Sequence, residues 1–428
     1  MLVLQANRLL DASYQLFRNT KTNETIIRTV GYALPAVLHA LIQDVAPTTY
    51  FASGRVMQQK PLRRTFGPTS AQAAPRNLMT ARASRPGINP PYLRWLYGTN
   101  AYVAAATSRN KLGIVGFHGE FPSQTDLNWF TNHYDRYAAG AAFTVVPVSG
   151  AANGPNNPIE MTNANVQYAA TMGYPTPLTF YSVLGSGDPY LQFLDYLTRQ
   201  TDIPQTMSIS NLGLEQNLPP GHAMALCNMF AQLGTRGVSV LIASGVHGVG
   251  AGHCERFVPE FPASCTCGVL SPHYESLTGP RHGFAGPWVT TVGGATRVNP
   301  EFAAGFSGGG FSTYFRRPDY QVNAVPGYLD HLEGEYEGLF KCATARCHDL
   351  TFFSYPMFLC SHFARGYPDI SAQAFDLTVI LNNHVGESGG TNLAASVCVF
   401  HCICSASSIL ERPADRRCTD SGGHSLAA

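Results

Sequence analysis

Residues 238–250 read V-S-V-L-I-A-S-G-V-H-G-V-G, a short apolar run that ends in a glycine-rich turn. Residues 222–237, directly before it, show the apolar spacing of a helix and end on glycine, a common helix stop. Strands of parallel sheets are apolar along their whole length because helices cover both of their faces. This stretch therefore predicts a helix that leads into a buried, parallel strand.

The same alternation recurs earlier in the chain. Residues 111–117, K-L-G-I-V-G-F, predict a buried strand, and residues 126–134, D-L-N-W-F-T-N-H-Y, an amphipathic helix. We therefore expect an α/β fold, a doubly wound and mostly parallel sheet with helices on both faces. In such folds the chemistry lies in loops at the carboxyl ends of strands. The loops after Ser210, Ser244 and Gly305 are the candidate site.

The composition excludes several classes of function. The 428 residues are 45% apolar and only 13% charged, with a net charge of +1. This balance gives no electrostatic basis for binding nucleic acid or an anionic membrane surface. The chain has no run of about 20 apolar residues that would predict a transmembrane helix. The opening M-L-V-L-Q-A-N-R lacks the pattern of a signal peptide.

The eleven cysteines do not follow a metal-binding pattern. Two C-x-C pairs occur, Cys265 with Cys267 and Cys402 with Cys404, but neither has a second pair at the regular spacing of a zinc site. We expect no metal here, and scattered thiols or one or two disulfides instead.

Several motifs, taken in order, resemble one family. They are L-C-N-M-F-A-Q-L-G-T-R-G-V-S-V-L-I-A-S-G (226–245), F-P-A-S-C (261–265), V-T-T-V-G-G-A-T (289–296), F-S-G-G-G-F-S-T-Y-F-R-R-P-D-Y-Q (306–321) and R-G-Y-P-D-I-S-A-Q (365–373). Over roughly residues 5–390 the chain resembles the sedolisins, serine-carboxyl peptidases with a subtilisin-like fold, and in particular fungal tripeptidyl-peptidase-like members. The resemblance implies a proteolytic ancestry and an amino-terminal activation prodomain.

The resemblance also divides the chain. Residues 1–52 look like the carboxyl-terminal remnant of the prodomain, 53–88 like a linker and 89–391 like the peptidase domain. Two segments without a family counterpart interrupt that domain, at about 266–286 and 346–364. We hypothesise that both are retained introns that stay in frame, which genomic and transcript sequences across the joints would test.

Residues 392–428 look like a tail foreign to the family. The family continues here with a helix behind the nucleophile and then a calcium loop. We expect both to be lost, so that the chain holds no cofactor and folds poorly because apolar sheet surface stays uncovered.

The family's chemistry needs four groups, and the resemblance places them one by one. A glutamate and an aspartate four residues apart on one helix fall on Met161 and Asn165. The aspartate of an S-G-D turn, which donates to the oxyanion, falls on Val246. The serine of G-G-T-S falls on Asn392. With all four replaced, we expect that the chain does not cleave peptides by this mechanism.

Displaced groups are an alternative. Glu160 precedes Met161 and could act with Ser388 or Ser396 as a relocated pair. Glu160 and Asn165 are five residues apart, however, so they do not share a helix face. We interpret Glu160 as a first-turn acid stabilised by the helix dipole.

The remaining cleft is recognisable by resemblance. S-I-S-N-L-G (208–213) looks like the loop that lines the primary specificity pocket, with Asn211 where an aromatic residue is expected. The substrate-cleft candidates are Ser208, Ser210, Gly213, Ser307, Gly308 and Gly309. The resemblance implies a peptide or unfolded-protein substrate, a monomer, and an extracellular or lysosomal/vacuolar location. A non-catalytic peptide-binding protein stays open beside an inactive homologue.

Overall fold

The structure is a computed structural model, and it describes most of the chain. The described residues are 3–20, 23, 25–39, 41–42, 44–46, 48–51, 64–67 (backbone only), 87–102, 104, 110–151, 158–184, 188–249, 257–266, 288–332 and 364–399. Both predicted insertions lie almost wholly outside these residues.

The described part contains seventeen strands and eight α-helices. The strands are β1 Gln15–Arg18, β2 Thr25–Arg28, β3 Arg64–Gly67, β4 Leu112–Phe117, β5 Phe143–Val148, β6 Leu178–Val183, β7 Thr206–Ile209, β8 Gly213–Leu214, β9 Ser239–Ala243, β10 Glu260–Phe261, β11 Thr290–Thr296, β12 Phe302–Ala303, β13 Gly310–Arg316, β14 Ala364–Tyr367, β15 Ile370–Gln373, β16 Leu377–Leu381 and β17 His384–Ser388. The helices are α1 Val3–Leu10, α2 Pro90–Leu96, α3 Gln124–Tyr134, α4 Glu160–Met172, α5 Pro189–Arg199, α6 Pro220–Thr235, α7 Ala324–His331 and α8 391–399.

The central sheet has the order β12-β11-β9-β7-β4-β6-β5, with β15 also paired to β11. Every pairing in it is parallel except β11 with β12. Strand β4 shows why the sheet must be covered on both sides. Ile114 packs into one core cluster, and its neighbours Val115 and Phe117 pack into the other. The predicted doubly wound, mostly parallel sheet is confirmed.

Helices close both faces. On one side α3, α4 and α8 contribute to a core that contains Phe130 and Tyr168, both fully buried. On the other side α5 and α6 contribute a second core that contains Phe193 and Phe230. No helix in the described ranges combines the length and apolar character that a membrane span requires.

The expectation that the helix behind the nucleophile loop is missing is wrong. Helix α8 begins at Thr391, and its side chains Leu393, Val397 and Val399 are all buried in the first core cluster. The sequence A-A-S-V-C-V is apolar on every side, as expected of a helix enclosed by protein. The sheet surface is therefore covered up to residue 399, and poor folding no longer follows from its exposure.

The predicted linker also contains a structured part. Residues 64–67 form β3, which pairs antiparallel with β17 beside β16. Strand β3 adds to the open edge of β17 through backbone hydrogen bonds, which do not depend on the side chains. Its sequence therefore needs no apolar alternation, and none predicted a strand there.

The amino-terminal segment contacts α6 through His222. Its Nδ1 bonds Asp44 Oδ2 at 2.7 Å, and its Nε2 bonds Asp188 Oδ2 at 2.6 Å. Burial lowers the pKa of His222, but the hydrogen bonds and charges of Asp188 and Asp44 outweigh it and raise the pKa to about 9. This contact therefore stabilises the fold fully below about pH 6.5 and is lost as the pH rises through about 9.

Candidate active site

The site lies where β9 leaves the central sheet and α8 begins. Thr391 Oγ1 accepts a hydrogen bond from Gly245 N at 3.1 Å and donates to Gly245 O at 3.0 Å. This reciprocal pair fixes the S-G-V turn against the G-G-T loop, although 146 residues separate them along the chain. The two loops that the resemblance implicates are therefore in direct contact.

Two of the four family positions are hydrogen-bonded to each other. Asn392 Nδ2 donates to Asn165 Oδ1 at 3.1 Å, and Asn165 Nδ2 donates to Ser210 Oγ at 3.2 Å. All three side chains are buried. A carboxamide is neutral at physiological pH, and its nitrogen donates hydrogen bonds without acting as a base. The positions to which the resemblance assigns a nucleophile and an acid are thus occupied by two hydrogen-bonded amides, which are joined to a hydroxyl.

The other two family positions carry apolar side chains. Met161 lies one turn before Asn165 on α4 and is buried. Val246 faces Asn392 across Gly390, since a Cβ built on Gly390 would lie 2.2 Å from Asn392 Oδ1 and 3.5 Å from a Val246 methyl. Neither a thioether nor an isopropyl group can exchange a proton with a substrate.

Of the displaced candidates, Glu160 and Ser388 come together. Ser388 Oγ donates to Glu160 Oε1 at 3.0 Å, and both residues are buried. Glu160 is also the first residue of α4, where the helix dipole favours an acid. Ser396 lies inside α8, and its buried hydroxyl has no hydrogen-bond partner among the described residues.

The triple-glycine loop packs against the S-G-V turn. Gly308 N donates to Gly245 O at 2.8 Å, and a Cβ on Gly308 would lie only 2.0 Å from Ser244 O. Ser307 Oγ accepts from Gly294 N at 3.0 Å. Because the backbone of the turn approaches so closely, only glycine fits at position 308. Of the other cleft candidates, Ser208 is buried on β7 with no bond to its hydroxyl among the described residues, and Gly213 opens β8.

Three buried acids near these loops were missed from the sequence. Glu120 Oε2 accepts from Thr162 Oγ1 at 2.7 Å. Burial raises the pKa of Glu215, although bonds from Ser312 and Thr313 oppose it. These acids lie in segments without a repeating pattern, so only the tertiary contacts reveal them.

Glu260, the third of these acids, is the least satisfied. Burial raises its pKa to about 8. Its Oε2 has no hydrogen-bond partner in the described part of the chain.

No group of three or more His, Cys, Asp or Glu side chains is placed to hold a metal ion in the described residues. A calcium loop near the carboxyl terminus would fall beyond residue 399, outside these residues. Cys227 and Cys265 form a disulfide that joins α6 to the segment after β10.

Known proteins match this chain in sequence and in fold. The family model described as Pro-kumamolisin, activation domain, matches residues 1–51. Tripeptidyl-peptidase SED2 of Arthroderma otae is 31% identical over 420 residues, which cover 92% of this chain and 63% of that protein. Probable tripeptidyl-peptidase SED3 of Trichophyton verrucosum is 31% identical over 422 residues, with the same coverage. The chain thus spans about 63% of the length of these relatives.

A solved structure shares the fold. Pseudomonas sedolisin, a serine-carboxyl proteinase complexed with two molecules of pseudo-iodotyrostatin, superposes with a TM-score of 0.51 at 19% identity, covering 76% of this chain and 82% of the other. At this identity the match concerns the fold alone.

Proposed function

We propose that this chain, which belongs to the sedolisin family of serine-carboxyl peptidases, keeps a peptide cleft but does not hydrolyse peptides by the family's mechanism. Its relatives in sequence are the fungal tripeptidyl-peptidase-like members of the family. The proposal rests on one observation above all, the hydrogen bond from Asn392 Nδ2 to Asn165 Oδ1. That bond joins the position of the nucleophile to the position of an acid, and neither side chain can perform the role.

Each missing role has a chemical consequence. A nucleophile must release a proton to a base while it attacks, and the amide of Asn392 has neither a reactive lone pair nor a base beside it. The oxyanion then needs a donor, and Val246 supplies none from its side chain. Loss of one oxyanion donor costs about 10²–10³ in kcat, and loss of a nucleophile or base costs up to about 10⁶.

The loops that would line the proposed cleft pack against one another in the structure. The turn at Ser244–Gly245, the loop at Ser307–Gly309 and the start of α8 remain bonded to one another. The partner that we propose for this cleft is an unstructured peptide, because ligands of such folds bind outside the carboxyl ends of the strands and the relatives in sequence are tripeptidyl-peptidases.

One observation favours a second candidate function, a peptidase with relocated groups. Ser388 Oγ donates to the Glu160 carboxylate at 3.0 Å, the geometry of a hydroxyl beside a base. Both residues are buried, so a substrate carbonyl would have to displace surrounding chain to reach the hydroxyl.

An activity assay separates the two candidates. The wild type, Ser388→Ala and Glu160→Gln are incubated with an unstructured peptide that has a free amino terminus, between pH 3 and pH 6, and the products are followed by mass spectrometry. We expect no cleavage above a heat-inactivated sample in any of the three. Ser396→Ala is the matched control, because its hydroxyl lies within α8 and makes no hydrogen bond to Glu160 or to any other described residue. Cleavage that Ser388→Ala abolishes and Ser396→Ala retains would establish the second candidate instead.

A further inference from the structure

The sequence contains one acceptor triplet for N-linked carbohydrate, Asn23-Glu24-Thr25. Such a triplet consists of asparagine, any residue except proline, and then serine or threonine, and it takes sugar where it lies on the surface of a protein in the secretory route. None of the other asparagines in the 428 residues is followed two positions later by serine or threonine. Use of this triplet therefore depends on its place in the fold and on the compartment of the chain.

Asn23 lies in the connection between strands β1 and β2. The two strands pair antiparallel, and Arg18 opposite Thr25 is the last pair before the connection. Asn23 N donates to Asn19 O at 2.9 Å, so the chain folds back on itself here. Asn23 also has φ +62°, a left-handed conformation that asparagine tolerates better than most residues. The turn thus holds the acceptor asparagine at the end of a two-stranded ribbon.

Both described residues of the triplet are accessible. Asn23 and Thr25 are exposed, and the Asn23 side chain makes no hydrogen bond within the described part of the chain. The asparagines of the candidate active site are the opposite case, because Asn165 and Asn392 are buried and bonded to each other. The amide of Asn23 can therefore carry a substituent without breaking a contact of the fold.

The surface beside the triplet has room for a bulky group. Leu16 and Ile27 lie opposite each other on the ribbon and are 68% and 48% exposed. Since alternate residues of a strand share a face, Thr25 lies on the same face as Ile27. This face is open to solvent next to the triplet, as the attachment of a branched oligosaccharide requires.

A disulfide elsewhere in the chain supplies independent evidence on the compartment. Cys227 and Cys265 are bonded, with their Cα atoms 5.9 Å apart, a separation that a disulfide spans readily. Disulfides form and persist in oxidising compartments, which include the lumen of the endoplasmic reticulum. N-linked oligosaccharides are transferred to protein in that same lumen. A chain that acquires this disulfide there therefore meets the transferase as well.

We infer that Asn23 is a modification site that carries an N-linked oligosaccharide. The donor is an oligosaccharide joined through a diphosphate to a polyprenyl lipid. The bond from its anomeric carbon to the diphosphate oxygen breaks, and a bond from that carbon to Asn23 Nδ2 forms. The amide nitrogen gives up one proton, and the lipid diphosphate is the leaving group. The inference does not depend on whether the chain binds or cleaves peptides.

Mass spectrometry of the full chain, secreted from yeast behind a cleavable signal peptide, tests the assignment. The protein is treated with peptide N-glycosidase, which removes an N-linked oligosaccharide and leaves aspartate in place of the modified asparagine. We expect the wild type to lose the mass of one oligosaccharide and to show aspartate at position 23. Asn23→Gln and Thr25→Ala should each have an unmodified mass that the glycosidase does not change. Protein retained inside the secretory pathway is recovered from the cell lysate and treated in the same way.

Asn19→Gln is the matched control. It makes the same chemical change in the same connection between β1 and β2, but Asn19-Thr20-Lys21 is not an acceptor triplet. This variant should lose one oligosaccharide on treatment, as the wild type does, and melting curves check that all variants fold. A wild-type chain without sugar would overturn the assignment. An oligosaccharide that persists in Asn23→Gln would also overturn it, because the sugar would then be attached elsewhere.

Discussion

Arg365→Met is expected to lower the free energy of unfolding by about 3–5 kcal/mol, the usual effect of removing one partner of a buried ion pair. Arg365 is 0% exposed. Its guanidinium donates to Asp369 through Nη2 to Oδ2 at 2.6 Å and through Nη1 to Oδ1 at 2.8 Å. Without Arg365, the charge of the half-buried Asp369 would be left with only neutral donors around it.

The pair also ties three parts of the fold together. Arg365 Nε donates to Cys265 O at 3.2 Å, and Asp369 Oδ2 accepts from Thr291 N at 2.7 Å. Thr291 lies on β11 of the central sheet. The Asp369 carboxylate thus accepts hydrogen bonds from a strand amide and from the guanidinium of Arg365.

Urea denaturation of Arg365→Met beside Arg199→Met measures this effect. Arg199 also makes two bonds to an acid, Asp195, but on an exposed helix face, where ion pairs contribute little. We expect a clear loss of stability in the first variant and an unchanged midpoint in the second. Equal midpoints for both variants would show that the buried pair does not hold the fold together.

Glu260→Gln is expected to change how the stability of the protein depends on pH. The pKa of Glu260 rises from about 4.5 in the unfolded chain to about 8 in the fold. A raised pKa in an acid means that the folded state binds the proton more tightly than the unfolded chain does. The contribution of Glu260 to stability is therefore fully present below about pH 4.5 and is lost as the pH rises toward 8. At about 1.4 kcal/mol per unit, the wild type should lose about 3 kcal/mol from this group between pH 4.5 and pH 7.

Glutamine does not titrate, so the variant should escape this loss. The difference in unfolding free energy between Glu260→Gln and the wild type should grow in favour of the variant by about 3 kcal/mol over that range. Taking the difference cancels other titrating groups such as His222. Thermal or urea unfolding at four pH values measures it. Parallel profiles for the two proteins would mean that Glu260 ionises in contact with water.

The parallel sheet was predictable because its signal is local. Strands such as Leu112–Phe117 are apolar throughout, and helices such as Gln124–Tyr134 bury apolar residues at helical spacing. The replaced catalytic positions were also visible, but only through resemblance. Nothing local links Asn165 to Asn392, which lie 227 residues apart along the chain.

Helix α8 and Glu260 show where sequence reasoning stops. The run A-A-S-V-C-V (394–399) has no polar face, so it gives no helical period, although its burial accounts for that composition. Glu260 looks like an ordinary strand residue before F-P-A-S-C. Its burial depends on β8 and on the space left by Gly245, contacts that only the fold creates.

Restoring the missing groups tests the central claim most directly. The variant Met161→Glu, Asn165→Asp, Val246→Asp, Asn392→Ser returns a base, its partner acid, an oxyanion donor and a nucleophile to the four positions. Its cleavage of an unstructured peptide at pH 4 is measured beside that of the wild type by mass spectrometry. We predict no cleavage by the wild type and measurable cleavage by the restored protein. Cleavage by the wild type at a rate that the restored protein does not exceed would contradict the claim that these four replacements silence the site.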